Sequence, residues 1–118
     1  LYVAENYQYP MDVDFLPVVY PTEQEYRFSM NKMGEMHLTP IAQASQTAGL
    51  ACLTITAFGD SAAQPIVQCA QQQACDLIYI GSHGRGGWGQ LLLGSVTNKV
   101  LSSCHIPVLV DRLPRAPQ

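Results

Sequence analysis

The stretch GSHGRGGWGQLLLGSV, residues 81–96, carries six glycines in sixteen positions and follows directly on the apolar run DLIYI at 76–80. An unbroken apolar run bounded by turn formers predicts a strand over 76–81, of the kind buried on both faces in a parallel sheet. SVTNKVLSSC at 95–104 has helical spacing, with Val96, Val100 and Leu101 directed inward. Bare backbone between a strand and a helix suits a ligand that must approach peptide N–H groups closely, an anion above all.

Outward from this stretch the chain alternates strands and helices. LYVA (1–4) is a short apolar strand, and ENYQYPMDVDFLPVVYP (5–21), with three prolines and three tyrosines, is a long irregular loop. TEQE (22–25) is a capping box, Thr22 accepting from the third helical amide and Glu25 reaching back. The helix it opens carries Tyr26, Met30, Met33 and Leu38 on one side and ends near His37. Thr39-Pro40 predicts a restart, with Thr as N-cap, Pro at the first helical position, a stripe of Ile41, Ala44 and Ala48, and Gly49 at the C-terminal cap. LACLTITAF (50–58) is a strand ended by Gly59-Asp60. DSAAQ (60–64) opens a helix with Ala63, Ile66, Val67, Ala70 and Ala74 inward and Gln64, Gln68, Gln71 and Gln72 outward. IPVLV (106–110) is the last strand. This order predicts an α/β fold, a parallel doubly wound sheet with helices on both faces, over residues 1–111, with 112–118 a proline-containing tail. Such sheets bind ligands at the carboxyl ends of their strands, the edge on which the glycines fall.

Composition narrows the partners. Six Lys+Arg against nine Asp+Glu give a net charge of -3, without the clustered basic residues that a phosphate-tracking nucleic-acid surface needs. Charged residues make up only 13% of the chain, so part of a largely neutral surface is expected to be covered by a second subunit. The four cysteines, Cys52, Cys69, Cys75 and Cys104, form no C-x-x-C pair and are expected to be buried or half-buried small hydrophobes of a reduced, cytoplasmic protein. No apolar run approaches the ~20 residues of a membrane helix, and no signal peptide is visible.

Three readings of the glycines compete. A P-loop fails, because Gly94-Ser95 has no lysine before the hydroxyl residue. Gly84, Gly86 and Gly89 spell G-x-G-x-x-G, and Asp111 stands where a ribose-binding acid belongs, which would make an NAD-type dinucleotide enzyme. Gly84 lies three residues beyond Gly81, however, too far for the tight turn off the strand. The third spacing is Gly81-x2-Gly84-x9-Gly94-Ser95. Here the chain resembles the universal stress protein family, whose nucleotide-binding members carry G-x2-G-x9-G-[S/T]. DLIYIGSHGRGG, LLLGSVTNKVL and IPVLV look like that family's fourth strand, phosphate loop and last strand. FGDSAAQPIVQCA is similar to the stretch after its third strand, and LYVAE to its second strand. The likeness spans residues 1 to about 111, dense over 76–110 and weak over 6–38.

The resemblance implies a site for ATP or a related adenine nucleotide (ADP or AMP). Gly81 and Gly84 would let backbone approach ribose and phosphates, with Arg85 over the phosphates or in solvent. Gly94, Ser95, Val96 and Thr97 would offer amides and hydroxyls at a helix start, and Ser is itself a preferred N-cap. Val3 and Ile80 match positions that pack against adenine. His83 is taken as a structural loop residue, and His37 and His105 carry no assignment. The family's strand order, 3-2-1-4-5, implies that its first strand and helix are missing from this chain. It also implies a homodimer through the last strand, Pro107 to Val110, and a regulatory, stress-response role. Paired carboxylates, an activated nucleophile and a P-loop lysine are all lacking, so at most slow ATP hydrolysis is expected, with Mg²⁺ carried by the nucleotide. The alternative from another class is a nucleotide-independent dimeric adaptor.

Overall fold

The computed structural model describes residues 1–11, 19–82 and 93–112. The chain divides into two compact units, Leu1–Asp60 and Ser61–Gln118.

The first unit holds β1 (Tyr2–Glu5), α1 (Glu23–Thr47) and β2 (Thr56–Gly59). β1 and β2 pair in parallel with Tyr2 opposite Thr56 and Glu5 opposite Gly59. α1 starts at the expected capping box: Glu25 N–H donates to Thr22 Oγ1 at 3.2 Å and Thr22 N–H to Glu25 Oε2 at 2.7 Å. These two bonds hold the Glu25 carboxyl below its ordinary pKa. α1 does not restart at Thr39-Pro40; it runs unbroken through Pro40. Tyr26, Met30, Gly34, Leu38, Ala42 and Ser45 form its buried or half-buried stripe, at a spacing of three to four residues that passes Pro40 without a shift. The Thr39 hydroxyl donates to the Glu35 carbonyl one turn back, so this threonine works inside the helix and not as a cap. Met33, Ile41, Ala44 and Ala48 are exposed, contrary to the stripes expected on either side of a restart. The helix ends in a Schellman motif, Gly49 (φ 70°) donating to Gln46 O and Leu50 to Ser45 O.

α1 lies on one face of the β1–β2 pair. Tyr2 stacks on His37 at 5.4 Å, and Arg27 sits 4.1 Å from the centre of the Phe58 ring. The strand expected over 50–58 shortens to its last residues. Tyr2 N–H bonds Ile55 O, and the register leaves 51–54 with no partner in β1.

The second unit holds α2 (Ala63–Gln72), β3 (Ile78–Gly81), α3 (Ser95–Ser103) and β4 (Val108–Asp111). β3 and β4 pair in parallel, Ile78 opposite Val108 and Gly81 opposite Asp111. Ala63, Val67, Ala70, Ile78 and Val100 form the core, with Ile80, Val96, Cys104, Ile106 and Val108 packed against it. β3 is buried on one face only: Tyr79 is 64% exposed and Leu109, opposite it, 53%. Both helices lie toward Ile78 and Ile80, so alternation along the strands turns Tyr79 and Leu109 away from them. Leu101 is also exposed, and the buried first-turn residue of α3 is Thr97. Cys52 and Cys75 are exposed rather than buried; Cys69 and Cys104 are half-buried, and all four are free thiols.

α2 stops at Gln72, earlier than its apolar spacing suggests, and Ala74 turns left-handed (φ 51°) instead of facing the core. Ala74 N–H bonds Gln71 O and Cys75 N–H bonds Ala70 O, a Schellman end with alanine where glycine is the usual choice. Ala74→Gly is therefore expected to stabilise the protein by about 1 kcal/mol, since a Cβ in this conformation costs that much or more. Thermal unfolding should show the midpoint rising by a few degrees; a lower midpoint would contradict the assignment.

The α/β alternation and parallel pairing stand as expected. The pairings form two two-stranded parallel sheets, β1–β2 and β3–β4, and the order over all four strands does not follow from them.

Candidate functional site

The carboxyl end of β3 and the first turn of α3 meet through main-chain chemistry. Gly94 N–H donates to Ser82 O at 2.7 Å, and Ser82 N–H donates to Asp111 O at 2.7 Å, extending the β3–β4 ladder past Gly81. The Thr97 hydroxyl donates to Gly81 O at 2.9 Å. Ser82 is 6% exposed and Thr97 2%. Gly81 and Ser82 thus meet Gly94 and Thr97 in one buried junction.

Gly94, not Ser95, is the N-cap of α3 (φ -61°, ψ 157°), and no side chain caps the helix. Asn98 N–H makes the first intrahelical bond, to Gly94 O. Ser95, Val96 and Thr97 occupy the first helical positions, whose N–H groups have no intrahelical acceptor and present the positive end of the helix dipole. Ser95 is exposed, so its hydroxyl stands free of a capping role at the open end of the helix.

Asp111 and Tyr79 share the face of β3–β4 turned away from the helices. The Tyr79 phenol donates to Asp111 Oδ2 at 2.5 Å. That bond, then partial burial and the carboxylate charge, push the phenol pKa above its ordinary 10.0. A raised acid pKa means that the bond is intact below pH 10 and is lost as pH rises through the raised value. An ultraviolet pH titration should place the Tyr79 transition above the ordinary tyrosine range, and Asp111→Ala should return it to that range. Identical transitions in the two proteins would contradict the bond. The carboxylate read from sequence as a ribose ligand for a dinucleotide is engaged with Tyr79. The register sets Tyr79 opposite Leu109 and Gly81 opposite Asp111, so the pair meets diagonally on one face, a relation the sequence does not give until the register is known.

Ile80 lies near the end of β3, half-buried with its side chain against the core. Val3, the other apolar residue expected against a base, stands in the first unit. It pairs with Ala57 and is half-buried, and by alternation it faces away from α1, to which its neighbour Tyr2 turns. At that unit's carboxyl edge, Asn6 Nδ2 donates to Asp60 Oδ1 at 2.8 Å and the Tyr26 hydroxyl to Glu5 O at 2.9 Å. Gly84, Arg85, His83, Gly86 and Gly89 lie outside the described residues. Among the described residues no helix is long and apolar enough to cross a membrane.

The sequence profile of the universal stress protein family matches residues 1–112. Universal stress protein MJ0531 of Methanocaldococcus jannaschii is 42% identical over 53 residues, which cover 45% of this chain and 31% of that protein. Universal stress protein Rv2005c of Mycobacterium tuberculosis is 45% identical over 53 residues, 45% of this chain and 17% of its own length. The matched segments therefore span less than a third of these relatives. The solved structure of protein MJ0577, also from M. jannaschii, superposes with a TM-score of 0.72 at 28% identity, covering 80% of this chain and 65% of that one.

Proposed function

Because this chain belongs to the universal stress protein family, we propose that it binds ATP or a related adenine nucleotide and acts as a regulatory stress-response protein of the cytoplasm. One observation carries the reading: the start of α3 is fastened to the carboxyl end of β3 through Gly94 and Ser82, at the end of the strand where a parallel sheet receives its ligands. A nine-residue helix with open amides at Ser95 and Val96 offers an anion hydrogen bonds and a favourable dipole, together on the order of 1 kcal/mol before any side chain contributes.

In this reading Gly81 and Gly84 let the backbone approach ribose and phosphates, Arg85 neutralises phosphate charge, and the amides of Ser95 and Val96 meet the anion, while Gly94, whose amide is spent on Ser82 O, and Thr97, whose hydroxyl is spent on Gly81 O, hold the helix start beside it. Val3 and Ile80 supply apolar contact to adenine. Mg²⁺, when present, is carried by the phosphates and lowers their charge. The domain comprises residues 1–111, and 112–118 form its tail. The observed pairings agree with the 2-3 and 4-5 neighbours of the order 3-2-1-4-5. A homodimer through Pro107–Val110 agrees with the exposure of Leu109 on β4, which among the described residues has a partner strand on one edge only.

Equilibrium titration with MgATP tests the proposal, with adenosine as the comparison ligand. Saturable MgATP binding is expected, with adenosine at least roughly tenfold weaker because it lacks the phosphates that meet the helix start. Equal affinity for the two ligands would overturn the phosphate half of the site.

A further inference from the structure

Thr97 is threonine at a position where the fold buries it to 2% exposure, and a buried hydroxyl needs an acceptor. Its acceptor is the Gly81 carbonyl, 2.9 Å away. The next carbonyl along the chain, that of Ser82, accepts from Gly94 N–H at 2.7 Å. Two consecutive carbonyls at the exit of β3 are thus spent on the first turn of α3, and they differ in kind. The Gly94 bond is main chain to main chain and uses no side-chain atom. The Thr97 bond depends on one oxygen atom and holds the helix three residues further in. With both, the first turn is fixed at two points on the strand; with one, the Gly94 bond holds the turn alone and opens more often.

We infer that Thr97 is a positioning residue: its hydroxyl fastens the first turn of α3 to the Gly81 carbonyl and so fixes the Ser95 and Val96 amides beside the carboxyl end of β3. The oxygen touches no ligand, and Thr97 acts on one through the helix it holds. What the positioning serves rests on the proposed nucleotide site; the positioning itself does not. This role lies in the Thr97 side chain alone.

Two variants separate positioning from packing. Thr97→Val keeps the volume and removes the oxygen, whereas Thr97→Ser keeps the oxygen and removes a methyl. A residue that only filled space would tolerate valine better than serine; a positioning hydroxyl requires the reverse. The experiment is amide hydrogen exchange on the ligand-free chain, followed by MgATP titration of the same three proteins. In Thr97→Val the Gly94 amide is expected to exchange roughly tenfold faster than in the parent, and MgATP affinity to fall by a similar factor, the usual scale for one lost hydrogen bond. Thr97→Ser should restore both even if its thermal midpoint drops. Unchanged Gly94 exchange in Thr97→Val, or better protection there than in Thr97→Ser, would overturn the inference. If the parent chain binds no MgATP, the functional reading fails, and the exchange data still decide the role of Thr97.

Discussion

Gly34→Val is expected to destabilise the first unit by about 3 kcal/mol, the upper end of what overpacking costs in a well-packed contact. Gly34 is the buried point of α1, where the helix crosses β2 most closely. A Cβ built there would collide with Thr56 Oγ1 and lie 3.3 Å from Thr56 Cβ and Cγ2. Threonine is stiff at χ1 and Thr56 sits in the β1–β2 ladder opposite Tyr2, so the side chain has little room to yield. Helix and strand must instead move apart, loosening the Tyr2–His37 stack and the Arg27–Phe58 contact with them. Denaturant unfolding of Gly34→Val, Gly34→Ala and Gly34→Ala with Thr56→Ala measures this directly. The double variant should recover most of the loss seen in Gly34→Ala, because it removes both the colliding oxygen and Cγ2. Stability near that of the parent in Gly34→Val would mean that the helix does not approach the strand so closely.

Gly84→Val is expected to lower MgATP affinity by at least about a hundredfold while leaving the unfolding midpoint within a few degrees of the parent. Gly84 is the second glycine of the Gly81-x2-Gly84-x9-Gly94 spacing. A β-branched side chain at Gly84 would fill the approach that the phosphates need. Retained affinity in a folded Gly84→Val chain would remove this glycine from the site.

Much of the fold is legible in the sequence where the deciding chemistry is local. The Thr22/Glu25 capping box and the Gly49 helix end are short-range patterns, and both form as written. The alternation of strands with helices likewise follows from apolar runs of contrasting period. Thr39-Pro40 misleads because its local preference for a helix start competes with a buried stripe running from Tyr26 to Ser45, and the tertiary contact with the β1–β2 pair prevails. Ala74 misleads in the opposite sense. It continues an apolar spacing, yet the backbone turns left-handed without a glycine to announce it. At the site, the glycine spacing identifies the β3–α3 junction, but the hydrogen bonds that build it do not follow from spacing. Tyr79–Asp111, Ser82–Asp111 and Thr97–Gly81 depend on the β3–β4 register and on the angle at which α3 meets the strand. Neither quantity has a sequence signature.

Native mass spectrometry of the purified protein, sprayed with and without added MgATP, tests the central claim most directly. One adenine nucleotide per subunit is expected, in a dimer, displaced or exchanged by added nucleotide and absent from Gly84→Val. A folded chain that carries no nucleotide and takes up none at saturating MgATP would contradict it.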